Sequence, residues 1–239
     1  MRSYTRHQLK QNAFAETTVE TISWAVEHRS KLIAGGIALA VVVAALVGGW
    51  AYVTYRNQQA SQELSAAILK YSAPIRPQGT PASPDTSSFA SAQERAKATN
   101  ADFTRIANKY SFTQSGTLAR YFEGMTLRDK GDNASAEKQL SEVGAGRHKE
   151  IASLAKLALA ALYQDTNRTA QAVQIYKDLA DHPTASVGKA TAQLQLASLY
   201  EAMQQPGEAV KVYERLQKDS PAGPAAQLAM QRLQVLKHP

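Results

Sequence analysis

Three alanines constrain the architecture more than any other feature of the chain. Ala136, Ala172 and Ala209 stand 36 and 37 residues apart, and each sits in the same pattern. Four residues later comes a large apolar residue, Leu140, Tyr176 or Tyr213; seven later comes Val143, Leu179 or Leu216. Twelve before each alanine stands a small residue, Gly124, Ala160 or Ala197, and three after that stands Leu127, Tyr163 or Tyr200. Each unit reads as an apolar helix, a short polar turn and a second helix. A period of this length marks a stack of such hairpins, in which neighbours bury one continuous core.

The pattern resembles the tetratricopeptide repeat, a helix–turn–helix unit of about 34 residues. A small residue in each helix lets the two backbones approach, and a leucine or aromatic fills the gap between units. Pro183 and Pro221 end second helices, where a missing N–H costs least. Asp132 or Asn133, Asn167 and Gln205 are candidate caps of second helices, and Pro206 suits a first turn. The chain departs from the family in three ways. Arg120, Lys156 and Gln193 stand where the early tryptophan would be, the turns run a few residues long, and Leu140 replaces an aromatic in the first unit. Degenerate repeats are expected over 116–221, with AAQLAMQRLQVLK after Pro224 as a polar-backed capping helix. The fold class is therefore all-α: an α-solenoid of helical hairpins over 116–239, preceded by a transmembrane helix.

That helix is the stretch LIAGGIALAVVVAALVGGWAYVTY, 24 residues from Leu32 to Tyr55 without a charge. As a helix it is roughly 36 Å long, enough for a hydrocarbon core about 30 Å thick. It is apolar all round, whereas a helix at the surface of a soluble core is polar on one face. An export signal has a shorter apolar run and a small-residue cleavage site; here Trp50, Tyr52 and Tyr55 close the run, as in an interfacial belt. A retained single span is expected. Arg2, Arg6, Lys10, Arg29 and Lys31 precede it, while only Arg56 and Lys70 lie within 20 residues beyond it. The bias favours a cytoplasmic N-terminus and a periplasmic C-terminal part, although Glu16, Glu20 and Glu27 dilute the tail.

Residues 1–31 read as a short tail, in which Thr17 or Thr18 with Glu20 or Thr21 could cap a helix. Residues 56–115 read as a helical linker. Leu64, Ala67, Ile68 and Tyr71 form an i, i+3, i+4, i+7 stripe, and Phe103, Ile106, Ala107 and Tyr110 form another. Between them the Pro-rich stretch 72–88 is a loop, and the flanking helices are a candidate further, divergent unit.

Chemistry is sparse. The chain has no cysteine, which excludes disulfides, thiolate metal sites and cysteine nucleophiles. His7, His28, His148, His182 and His238 make no i, i+4 pair. GAGRHK at 144–149 lacks the remaining elements of a phosphate loop and reads as an inter-repeat turn. Asn133-Ala134-Ser135 and Asn167-Arg168-Thr169 match a glycosylation sequon, but capping explains both better. No catalytic constellation, cofactor or metal is expected. Beyond Arg56 there are 21 basic and 17 acidic residues with no clustered patch, so nucleic acid is not an expected partner.

Two features suggest binding to proteins. In tetratricopeptide repeats the first helix of each unit lines the inner groove. Carried over to this chain, that face comprises Leu118, Tyr121, Met125 and Arg128, then Leu157, Ala161 and Gln164, then Leu194, Ser198 and Glu201. Leu157 and Leu194 equally suit packing between repeats. The row of lysines and asparagines that captures a C-terminal carboxylate is missing. Within the span, Gly36, Ala40, Ala44 and Gly48 recur every four residues, a small-residue stripe of the kind that packs membrane helices.

The order of tail, span, linker and repeats resembles the bacterial YfgM-like family of membrane-anchored tetratricopeptide proteins, ancillary subunits of the SecYEG translocon. RIANKYSFTQSGTLARYFEGMTLRDKGDNASAEKQL is the most specific stretch, and the Pro-rich insertion at 72–88 departs from the family. The resemblance implies a non-enzymatic adaptor in the bacterial inner membrane, facing the periplasm. Its partners would be the translocon, envelope chaperones or unfolded exported chains. The alternatives are a scaffold for envelope assembly or cell division, or a self-associating structural membrane protein.

Overall fold

The computed structural model describes residues 28–77, 79 and 88–237. The expected tail helix and the centre of the Pro-rich loop lie outside the described residues. The chain divides into two compact units, one ending at Thr54 and one running from Tyr55 to Pro239.

All regular elements among the described residues are helical. They are α1 (Arg29–Tyr71), α2 (Ala92–Lys109), α3 (Gln114–Asp129), α4 (Asn133–Gly144), α5 (Lys149–Asp165), α6 (Thr169–Asp181), α7 (Lys189–Ala202), α8 (Pro206–Asp219) and α9 (Pro224–Lys237). The hairpins α3–α4, α5–α6 and α7–α8 are the three units legible in the sequence. GAGRHK falls in the turn between α4 and α5, as expected.

The periodic residues are the core. Ala136, Ala172 and Ala209 are fully buried, as are Leu140, Tyr176 and Tyr213 and the trailing Val143, Leu179 and Leu216. Leu127, Tyr163 and Tyr200 join the same cluster, which runs unbroken from α3 into α9 through Ala226, Ala229 and Leu233. Gly124 shows why the small position is needed: a Cβ there would meet Cδ2 and Cγ of Leu140 at 2.8 Å.

The turn inside each hairpin is the same device used three times. Gly131, Asn167 and Gln204, 36 and 37 residues apart, all have positive φ, at 85°, 59° and 56°. The next residue reaches back five positions: Asp132 N to Leu127 O at 3.0 Å, Arg168 N to Tyr163 O at 2.7 Å, Gln205 N to Tyr200 O at 2.9 Å. These bonds satisfy carbonyls at the end of each first helix, as in a Schellman motif. The expected cap Asn167 is thus corrected. It occupies the left-handed turn position, which Asn tolerates better than most residues, and Arg168 precedes α6 without a side-chain cap. Asp132 does cap α4, accepting from Ser135 N at 3.2 Å, whereas Gln205 makes no side-chain cap bond.

Residues 55–71 of α1 pack on α2 and α3 through Ala60, Leu64, Ala67, Phe103, Ile106, Ala107, Tyr110 and Ala119. Phe103 stacks on Phe122 at 5.2 Å, and Tyr71 meets both rings edge-on. Glu63 clips α1 to α2: its carboxylate accepts from Lys109 Nζ at 2.7 Å, from Tyr110 Oη at 2.7 Å, and from Arg105. An isolated bridge between Ile75 and Phe89 closes the base of the Pro-rich loop.

The apolar stretch of α1 is long and apolar enough to cross a membrane, and none of it is buried in the structure. Trp50, at 72% exposure, stands near its end. At the far end of the repeats α9 is less polar-backed than expected, since Leu228, Met230 and Val235 are exposed.

Candidate functional site

The first helices α3, α5 and α7 carry the candidate groove, and the structure divides its ten residues into three groups. Leu118, Tyr121, Met125, Leu157 and Leu194 are half-buried, with one side against the repeat core. Tyr121 meets Phe122 edge-on at 5.1 Å, and burial pushes its hydroxyl pKa up. Ala161 is half-buried and Ser198 is exposed.

The polar members are engaged within the fold. Gln164 Oε1 accepts the Tyr176 hydroxyl at 2.8 Å. At the equivalent place in the next repeat, Glu201 Oε1 accepts the Tyr213 hydroxyl at 2.6 Å and Arg232 Nε from α9 at 3.1 Å. The Arg232 guanidinium and then the Tyr213 hydroxyl hold the Glu201 carboxyl below the usual range. Burial pushes the Tyr176 hydroxyl up to about 12, which keeps it a donor at any physiological pH. In the first repeat Leu140 has no hydroxyl to offer, and Arg128 reaches across to Asp165 at 2.7 Å instead. What this face leaves open is its apolar half together with Ala161 and Ser198, the latter also within reach of the Tyr213 hydroxyl.

The residues at the missing tryptophan position each line a cleft, which lies between successive second helices for Lys156 and Gln193 and between the α2–α3 loop and the end of α4 for Arg120. Arg120 lines one of about 210 Å³, Lys156 one of about 490 Å³ and Gln193 one of about 300 Å³. Lys156 pairs with Asp178 at 2.7 Å, and Gln193 Nε2 donates to Asp219 at 3.0 Å. The sequence shows the substitution; the clefts depend on how neighbouring hairpins stack and carry no local sequence signal.

Gly36, Ala40, Ala44 and Gly48 lie in α1, all exposed. No group of three or more histidine, aspartate or glutamate side chains is arranged to hold a metal ion among the described residues.

Stacked helical hairpins with a continuous core, preceded by a long apolar helix, define the class: a helical-repeat protein. A family model described as a tetratricopeptide repeat-like domain, that of the YfgM-type proteins, matches residues 30–178, more than half the chain, and the chain belongs to that family. A second model, described as a tetratricopeptide repeat, matches residues 193–225. No curated protein matches the chain. Among solved structures it is similar to a Podosopora anserina protein described as kinesin light chain nearly identical TPR-like repeats. The identity is 14% and the TM-score 0.55, over 75% of this chain and 86% of that one. A single-substitution form of the same protein gives 14% identity and a TM-score of 0.54, over 75% and 85%. At this identity the likeness is one of fold. Repeats of this family imply protein–protein interaction, and neither match is to a catalytic family.

Proposed function

We propose that the protein is a membrane-anchored, non-enzymatic adaptor that binds other proteins through its repeats. The observation that carries this reading is the family match, which begins at Ser30 and runs through the apolar helix into the second repeat. Residues 32–55 hold the chain in the bacterial inner membrane, residues 1–31 stay cytoplasmic, and residues 116–239 work in the periplasm, joined by the linker 56–115. The anchor raises local concentration beside a membrane complex, so that weak groove contacts suffice. The groove occupant is an amphipathic segment laid along Leu118, Tyr121, Met125, Leu157 and Leu194, with room at Ala161 and Ser198. The stripe Gly36, Ala40, Ala44, Gly48 packs on a partner's membrane helix. Within the YfgM-type family the fitting role is that of an ancillary translocon subunit, working with envelope chaperones on emerging chains.

The test is crosslinking of the full-length protein in its native membrane, with partners identified by mass spectrometry. Translocon subunits recovered with exported clients are the expected result. Recovery of only division or outer-membrane assembly proteins would discard the translocon and keep the anchored scaffold. The groove has its own test: Tyr121→Ala with Met125→Ala is expected to reduce partner capture about tenfold or more, the loss typical of removing an aromatic anchor. Unchanged capture by the folded variant would move the binding surface elsewhere.

A further inference from the structure

The tight loop between α2 and α3 is built to present one phenylalanine. Tyr110 and Thr113 at its two ends are almost fully buried, while Ser111 is exposed and Phe112 is 61% exposed. Thr113 N donates to Tyr110 O at 3.0 Å, and Thr113 Oγ1 caps α3 by accepting from Gly116 N at 3.0 Å. The loop lies so close to the first turn of α3 that a Cβ at Gly116 would meet Tyr110 O at 1.9 Å. Only glycine fits there. Phe112 is thus held outward by a rigid support, although a phenylalanine gains nothing from facing water.

The position of this loop gives it a partner. It is tied to the two residues that follow the apolar run. Arg56 Nη2 donates to Lys109 O at 2.8 Å, and its guanidinium lies 4.7 Å from the centre of the Tyr110 ring. Asn57 Oδ1 accepts from Ser115 N at 3.1 Å. Beside Ser111 is the cleft lined by Arg120, Arg147, His148 and Glu142. Arg147 is exposed and has no ion pair among the described residues. Arg120 is held by Asn108 rather than by an acid.

We propose that this loop is a second membrane contact: Phe112 enters the headgroup boundary of the bilayer that holds α1, and Arg120 and Arg147 meet lipid phosphates beside it. The inference rests on the reading of residues 32–55 as a retained span, because the water–lipid boundary then falls at Tyr55–Arg56, next to the loop. An aromatic tip flanked by cations is the chemistry of an interfacial anchor. One span fixes where a domain is tethered; a second contact fixes which side of it faces the membrane.

The chain has no cysteine, so single-cysteine variants give unique labelling sites. The full chain is reconstituted in phosphatidylcholine–phosphatidylglycerol vesicles and spin-labelled at Ser111→Cys, at Leu46→Cys in the apolar run, or at Gln227→Cys on the exposed face of α9. Collision with a water-soluble nickel reagent is compared with collision with oxygen. The label at 111 is expected to be shielded from nickel by about tenfold relative to 227, the shift that burying one phenylalanine supplies. Phe112→Ser, which leaves the core untouched, should abolish that shielding, and Arg147→Glu should weaken it. A 46 label in lipid with a 111 label as open as 227 would overturn the second contact and leave the anchor standing. A 46 label open to nickel would overturn the anchor itself. Shielding at 111 that survives Phe112→Ser would also sink the proposal.

Discussion

At the residue scale, packing in each hairpin is decided by one pair: the small residue of the first helix and the large residue of the second. The first repeat pairs Gly124 with Leu140; the others pair Ala160 with Tyr176 and Ala197 with Tyr213. A branched leucine touching the first helix needs glycine opposite it. Gly124→Ala should therefore destabilise the protein by about 1–3 kcal/mol, the usual cost of overpacking. The same change should cost less in a Leu140→Ala background, since the two side chains meet directly. Urea denaturation of the four combinations followed by circular dichroism checks this; additive costs would show that the strain is taken up elsewhere. The alanine anchors were legible because their spacing repeats. The bonds of Gln164 and Glu201 to tyrosine hydroxyls were not, because each joins two helices across a turn and depends on how they face. The same holds for Gly116, whose need for glycine is created by a carbonyl six residues back.

At the scale of elements, hairpin turns and the α1–α2 clip each make a prediction. Gly131 sits at φ 85° in the first turn. A Cβ there would meet no atom within 4 Å, so the cost of Gly131→Ala is backbone alone, about 1–2 kcal/mol. Thermal unfolding checks it, and no loss of stability would mean that the turn relaxes. Glu63 titrates differently in the folded chain. Hydrogen bonds from Lys109 first, then Tyr110 and Arg105, hold its carboxyl at about 2 against an ordinary 4.5. A pKa lowered by folding stabilises the fold above the ordinary value and loses that contribution as pH falls from 4.5 toward 2. Melting temperature should drop through that window, and Glu63→Gln should flatten the drop. Equal slopes in the two proteins would assign acid sensitivity to other carboxylates. Helix positions were largely readable from apolar stripes. That residues 55–71, α2 and α3 share one core was visible only as two matching stripes, since the Pro-rich stretch between them hides the hairpin.

At the scale of the molecule, the apolar run and the repeats predict a topology. With the N-terminus cytoplasmic, a cysteine at Gln227→Cys should react with a membrane-impermeant maleimide in cells whose outer membrane has been permeabilised. One placed at Ser3→Cys should react only after the inner membrane is opened. The reverse pattern would put the repeats in the cytoplasm. The expected pattern follows from the lysines and arginines that precede the apolar run, which outnumber those just beyond it.

The continuous core has a further consequence for how the protein comes into being. Among the described residues each hairpin of the repeats leans on the ones beside it, through contacts near in sequence. A chain made from its N-terminus can therefore set one hairpin after another as it lengthens, each completed turn closing behind the last. Within the repeats such a chain leaves about one unit of apolar surface waiting for company at a time, and its growing end advances like a ratchet in steps of 36 or 37 residues.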